Sequence, residues 1–344
     1  MKTIILQRPE EFEFTKTDPP EKLKANEALL KVHRIGICGT DLHAYAGDQP
    51  FFDYPRILGH ELGVEVIDTG SEVDNVSIGD KCSVEPYRYT HPDDPAVRRG
   101  KPNCAEHLSV LGVHEDGGMR ERFTFPAKYL HSSQELSYDQ LALIEPLGIG
   151  CHAVNRAQLN SDDKALVIGI GPIGLGAIQF AQMAASDVAV MDIDQNRLEF
   201  AKKEIGIQHT IQPTKDTKNT EAKIRQTFNG ELPTVVFDAT GSKKSMEAAI
   251  NYVAHGGKLV YIGLFQGNFT LHDPTFHKKE LTLLSSRNAL STDFDQIIRA
   301  IEQNNIDTTP WITHRAHFDD MISEFDHWTR PESNVIKAMV DIND

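Results

Sequence analysis

The chain has 344 residues, 40% hydrophobic and 25% charged, the balance of an ordinary globular protein with room for two domains. A net charge of -15 argues against nucleic acid or an anionic membrane as a general partner, because both are bound by clustered Lys and Arg. There is no basic-then-apolar leader and no run near the roughly eighteen apolar residues of a membrane span. The four cysteines (Cys38, Cys82, Cys104 and Cys151) lack paired spacing, so a cytoplasmic chain without disulfides is expected.

From Met1 to about Leu147, short apolar runs are broken by Gly, Pro and Asp: "EALLKVHRIGI", "GVEVIDTG", "DKCSVEP", "RERFTFP". Runs of this length between turn residues predict strands of a largely β domain. Inside this stretch, "GICGTDLHAY" places the thiol of Cys38, the hydroxyl of Thr40, the carboxylate of Asp41 and the imidazole of His43 within six residues. Those ten residues alone leave two readings open, a metal site with a proton outlet or a small buried cysteine beside a turn. Further on, "LGHELG" supplies His60 and Glu61, and "LIEPLGIGCHAV" supplies Glu145. Thiolate, imidazole and carboxylate are the ligand types of a catalytic zinc that keeps one position open. Taken singly, each reads as well as a satisfied core histidine or a glutamate at the end of an element.

From about Lys164 the rhythm changes. "KALVIGIG", "DVAVMDID", "TVVFDATG" and "KLVYIGLF" read as buried strands, and "PIGLGAIQFAQMAA", "QNRLEFAKKEIG", "EAKIRQTFNG" and "KKSMEAAINYVAHGG" as the helices between them, the alternation of a parallel sheet covered by helices. "VIGIGPIGLG" follows the first of these strands and sets Gly169, Gly171 and Gly174 in G-x-G-x-x-G register. The first glycine permits the tight turn, the second lets backbone approach a pyrophosphate, and the third allows close packing of helix on strand. Pro172 stands in the first helical turn, where no N–H donor is lost. Eighteen residues after Gly174, Asp192 ends the next strand. A carboxylate there accepts the ribose hydroxyls and repels a 2'-phosphate, so NAD is expected over NADP. Arg197 either stacks on the adenine or meets a phosphate, or is simply an exposed helical arginine. After Asn288 the pattern is mixed and ends in "VIKAMVDI", a return to the first domain. The expected boundaries are 1–150 and 288–344 for the β domain and 151–287 for the nucleotide domain.

In order, "GICGTDLHAY", "PRILGHELGVEV", "SIGDKCSVEP", "LIEPLGIGCHAV", "VIGIGPIGLGAIQ" and "VFDATGS" resemble the landmarks of the zinc-dependent medium-chain alcohol dehydrogenases over nearly the whole chain. "ICGTDLH" and the "EPL" box are most similar to the sorbitol and threonine dehydrogenase branch. "GDQPFFDYPRILGHE", "LSVLGVHEDGG" and "HKKELTLLSSRNA" look closer still to bacterial sugar-acid dehydrogenases of the L-galactonate and L-gulonate type.

The resemblance implies an α/β chain with a GroES-like, largely β catalytic domain and a doubly wound Rossmann domain. It implies that Cys38 and His60 bind a catalytic zinc and that Glu61 and Glu145 complete the shell, one directly and the other through water, with the choice left open. By the same resemblance Thr40 touches the substrate oxygen, His43 is the outer end of a proton path that includes the ribose hydroxyls, and Asp41 is a brace. Ile173, Thr240, Ile262 and Ser286 join Gly169, Gly171, Pro172, Gly174, Asp192 and Arg197 at the cofactor. Arg287 either forks onto a sugar-acid carboxylate or bonds a phosphate or a bridging carbonyl. Tyr45, Phe51, Arg120 and His114 are further pocket candidates. Many relatives carry a second, structural zinc on four cysteines. Here the matching positions are Thr90, Asp93, Ala96 and Cys104, which with His91 make a poor closed shell, so one zinc per chain is expected. Homodimers or homotetramers are implied, with neither nucleic acid nor membrane as partner.

The leading expectation is zinc- and NAD-dependent oxidation of a secondary alcohol in a polyol or sugar acid. The alternatives are an L-threonine 3-dehydrogenase, a sorbitol dehydrogenase, and a non-catalytic nucleotide-binding relative.

Overall fold

The computed structural model describes residues 1–20, 22–49, 52–185 and 187–342. It divides into two units, Met1–Pro146 with Ala289–Asp344, and Leu147–Asn288. The division falls inside the 20-residue helix Tyr138–Ala157, at Pro146, slightly before the expected change at 150.

The first unit is organised around the strand Glu27–Ile37. Its Leu30, Val32, Ile35 and Ile37 are buried against Leu62, Val64 and Val66 of the strand Glu61–Thr69 and against Phe123 and Phe125 of the strand Arg122–Pro126. Each such side chain contributes roughly 1.5 to 3 kcal/mol by leaving water. A slip of one residue would turn the whole set to the opposite face, so the register is firmly held. In that register Gly36 lies opposite Glu61 on one side and opposite Met339 on the other, and Ile37 lies opposite Ala338. The full sheet runs Ile312–His317, Lys337–Asp341, Glu27–Ile37, Glu61–Thr69, Lys81–Val84, Leu130–Ser132, with Arg122–Pro126 also paired to Glu27–Ile37. The C-terminal residues therefore return into the middle of the first unit's sheet, and "VIKAMVDI" carries the strand that pairs with Glu27–Ile37.

Two polar clusters secure this return. Arg34 pairs with Asp139 at 2.8 Å and Asp341 at 2.9 Å, and Arg315 reaches the same two carboxylates. The buried His131 bridges Glu85 (Nε2 to Oε2, 3.1 Å) and Asp295 (Nδ1 to Oδ1, 2.9 Å), while Ser291 Oγ donates to Glu85. Burial pulls the His131 pKa down, but the hydrogen bonds to Asp295 and Glu85 outweigh it and hold the imidazole above its ordinary value.

The second unit is a six-stranded parallel sheet in the order His209–Ile211, Asp187–Met191, Lys164–Ile168, Val235–Asp238, Lys258–Tyr261, Thr282–Ser285. This is the doubly wound order in which strand sequence reverses beside the first strand, where such sheets bind nucleotides. The helices Pro172–Ala184, Gln195–Glu204, Thr217–Thr227 and Lys243–Ala249 connect the strands. "KKSMEAAINYVAHGG" forms a shorter helix than its pattern suggests, continuing after Ala249 as the 3-10 turn Ile250–Tyr252. Among the described residues no helix is long and apolar enough to cross a membrane.

Candidate active site

The end of the sheet in the first unit gathers the chemistry. Cys38 follows the strand Glu27–Ile37 directly and caps the helix Gly39–Ala46, and Asp41 Oδ2 accepts the Cys38 N–H at 2.9 Å. His60 precedes the strand Glu61–Thr69 and Glu61 opens it. Cys38, His60 and Glu61 each present a ligand atom within 4.8 Å of the others, with His60 and Glu61 buried. His60 Nδ1 faces Asp41 Oδ1 at 3.8 Å, and both atoms are buried without a hydrogen-bond partner. Gly36 is required here, since a Cβ on it would stand 2.1 Å from Glu61 Oε2.

Glu61 is held from the far end of the chain. Lys337 Nζ donates to both Glu61 oxygens at 2.6 Å and to the Ile37 carbonyl at 3.0 Å, with side-chain exposures of only 2% and 1% for Lys337 and Glu61. Burial pulls the Lys337 ammonium down, but Glu61 and Cys38 more than compensate and hold it above its usual range. Glu145 is also buried, and Tyr87 donates its hydroxyl to Glu145 Oε1. Burial, followed by the repulsion of Glu61, pushes the Glu145 carboxyl upward against the attraction of His60.

The electrostatics fit a divalent cation. The Lys337 ammonium faces an excess of acidic groups, because the cluster brings together the Cys38 thiol and the carboxyl groups of Asp41, Glu61 and Glu145. His60 reports that excess, because burial lowers its pKa yet Cys38 and Asp41 drive it well above the ordinary value. The donor set of sulfur, nitrogen and oxygen is that of a catalytic zinc, and Asp41 behind the imidazole is the outer partner such a histidine needs. Thr40 and His43 lie three residues apart on the same helix, hence on one face. His43 is exposed, with Nδ1 3.2 Å from Asp48 Oδ1.

In the second unit, Gly169, Gly171 and Gly174 form the turn from the strand Lys164–Ile168 into the helix Pro172–Ala184, with Pro172 first in that helix. Gly174 packs so closely that a Cβ would meet the Gly169 carbonyl at 1.8 Å. Asp192 has a task that its position in the sequence did not reveal. Its Oδ2 accepts the Ile170 N–H at 2.7 Å and its Oδ1 the Asp194 N–H at 2.9 Å, so it braces the glycine turn. Arg197 is half-buried rather than exposed, and its Nη1 lies 3.7 Å from where a Cβ of Gly171 would be, beside the same turn. Thr240 Oγ1 donates to the buried Asp238, while Ser286 Oγ is buried without a partner. Ile173 and Ile262 are half-buried.

The pocket candidates have contacts of their own. Tyr45 stacks on Phe12 (5.3 Å between centroids) and packs against Phe325. Arg120 lies over the Phe123 ring at 5.3 Å and donates to the Asp116 carbonyl at 3.1 Å. Neither makes a hydrogen bond, ion pair or ring contact with the Cys38 cluster. His114 Nδ1 accepts from the Val110 N–H at 3.0 Å within a turn. Arg287 is exposed after the strand Thr282–Ser285, and Phe51 lies outside the described residues. In the segment of the expected second zinc, the near-buried Asp94 accepts N–H groups from Ala96 (2.7 Å) and Glu106 (2.8 Å), tying its two ends together.

Sequence reasoning missed Lys337 and Tyr87. A lone lysine within the apolar "VIKAMVDI" is a signal that could have flagged the first, because a charge in a buried strand needs a partner. "VEPYRYT" carries no comparable mark for the second.

The model of the alcohol dehydrogenase GroES-like domain matches residues 24–135, and that of the zinc-binding dehydrogenase matches residues 172–303. The chain is 36% identical to L-galactonate-5-dehydrogenase of Escherichia coli over 340 residues, covering 99% of this chain and 98% of that protein. It is 31% identical to L-arabinitol 4-dehydrogenase of Hypocrea jecorina, covering 92% and 86% respectively. Among solved structures it resembles an alcohol dehydrogenase, RspB, from E. coli, solved with NADH, at a TM-score of 0.91 and 28% identity, covering 99% of both chains.

Proposed function

The chain belongs to the zinc-dependent medium-chain alcohol dehydrogenases, and from that premise we propose that it oxidises a secondary alcohol of a polyol or sugar acid, of the L-galactonate or L-gulonate kind, with NAD as acceptor and one zinc per chain. Membership makes it an oxidoreductase acting on CH–OH donors. The observation that carries the proposal is the buried group of Cys38, His60 and Glu61, backed by Asp41 and Lys337. The names of L-galactonate-5-dehydrogenase and L-arabinitol 4-dehydrogenase support the substrate class.

Cys38, His60 and Glu61 would hold the metal, with the buried Glu145 as the neighbouring carboxylate. Bound there, zinc supplies a Lewis acid that eases loss of the alcohol proton, and the nicotinamide accepts the hydride. Asp41 faces His60 Nδ1 at 3.8 Å and would balance the charge of the imidazole from behind. Thr40 takes the proton at Oγ1, and His43, on the same helix face and open to solvent, passes it to water. The glycine turn would receive the pyrophosphate and Asp192 the ribose hydroxyls, and Arg197, Ile173, Thr240, Ile262 and Ser286 would complete the cofactor site. Asp94 replaces the second metal in holding its segment. Arg287 is assigned to the carboxylate of the substrate. The four free thiols support a reducing, cytoplasmic setting, and family habit supports a homodimer or homotetramer.

Turnover of aldonic acids, polyols and threonine, measured with NAD and NADP side by side on material of known metal content, tests the proposal. Activity on sugar acids or polyols with NAD and about one zinc per chain is expected. Full activity in metal-free protein, or turnover of threonine alone, overturns it. Arg287→Ala should cost an aldonic acid far more than its matching polyol, and equal losses would remove Arg287 from the substrate site.

A further inference from the structure

Two carboxylates border the Cys38 and His60 cluster, and they are held by unlike donors. Glu61 has both oxygens on the Lys337 ammonium, which is itself anchored to the Ile37 carbonyl. Glu145 has one oxygen on the neutral hydroxyl of Tyr87. Tyr87 is 4% exposed and opens the strand Tyr87–Tyr89, whose pairing to Leu108–Val110 fixes its backbone independently of Glu145. Glu145 is not among the three residues whose ligand atoms lie within 4.8 Å of one another.

We propose that Tyr87 is a positioning residue that holds the Glu145 carboxylate out of the ligand shell and so keeps the fourth position of the site open to substrate. The proposal rests on the zinc reading above. A buried carboxylate oxygen deprived of its donor must find another partner or bear the full cost of desolvation. With the hydroxyl gone, a metal held by Cys38 and His60 would be its strongest partner, since Glu145 already interacts electrostatically with His60. Glu61, the third ligand of that reading, is fixed in place by the Lys337 ammonium on both its oxygens.

The test is Tyr87→Phe, which keeps the ring and removes only the donor. In the cobalt-substituted enzyme the variant should show a shifted ligand-field spectrum, as a carboxylate takes the fourth position in place of solvent. Release of zinc to a chelator should slow by about tenfold, equivalent to about 1.4 kcal/mol. Turnover should suffer in KM more than in kcat, because the carboxylate competes with substrate for the open position. In a Glu145→Ala background, the same substitution should change neither spectrum nor release. An unchanged cobalt spectrum in Tyr87→Phe, or faster loss of zinc, overturns the role of Tyr87 while leaving the zinc reading intact. Parent enzyme that holds no zinc overturns both. Thermal unfolding of the variant checks that its fold is retained, and the Glu145→Ala pair decides the same question independently.

Discussion

Replacing Lys337 with Met asks how much of the site is held by a single buried charge. Nζ sits 2.6 Å from both oxygens of Glu61, and the two side chains are 2% and 1% exposed, so water cannot stand in for either. Removing one partner of such a pair leaves an uncompensated charge in the interior, at a cost of about 3 to 5 kcal/mol. In a unit of about 200 residues, where 1 kcal/mol moves the midpoint by about 2 to 4 °C, metal-free Lys337→Met should melt about 6 to 20 °C below the parent. Added zinc should recover part of the difference, because a divalent ion bound beside Glu61 supplies the missing positive charge and binds only the folded state. Lys337→Arg should lose much less. The assay is thermal unfolding followed by near-ultraviolet circular dichroism, in chelator and in zinc. A metal-free Lys337→Met protein that melts within about 2 °C of the parent, or one that loses as much in zinc as in chelator, would refute the reasoning.

Gly36→Ala forces a Cβ to within 2.1 Å of Glu61 Oε2, and metal analysis of the purified variant should find zinc lost even though the substitution is on a neighbouring strand. For His131, the folded pKa lies above the unfolded value, so its stabilising share is fully present below about pH 6.5 and lost as pH rises through the folded value. His131→Gln should therefore flatten the decline in denaturant midpoint as pH rises above about 6.5, and a parallel profile in both proteins would count against the clamp. Asp192→Ala should raise KM for NAD at least about tenfold and also lower stability by about 1 to 3 kcal/mol, because the buried Ile170 N–H loses its acceptor. A loss of NAD affinity with unchanged stability would show that the brace on the glycine turn is idle.

Much of the chain is legible from its residues alone. The alternation from Lys164 onward predicts a parallel sheet, and the sheet has the doubly wound order. "GICGTDLHAY", "LGHELG" and "VIGIGPIGLG" identify Cys38, His60, Glu61 and the glycine turn, and the structure places Cys38, His60 and Glu61 together. The second duty of Asp192 was not legible, because its N–H partners at Ile170 and Asp194 depend on how the turn closes. Nor could spacing separate Glu61 from Glu145, since both are glutamates beside apolar runs. The difference between them lies in their donors, an ammonium for one and a phenol for the other.

Periodicity and motif spacing are properties of near neighbours, so strand, helix, phosphate turn and ligand types could be read along the chain. Which groups stand behind those ligands is a property of strand register. Lys337 reaches Glu61 across 276 residues and Ile37 across 300, and it does so because the final strand pairs with Glu27–Ile37 in one alignment that buries every apolar side chain on the proper face. No local pattern encodes that meeting, because the free energy that selects it is summed over the whole sheet.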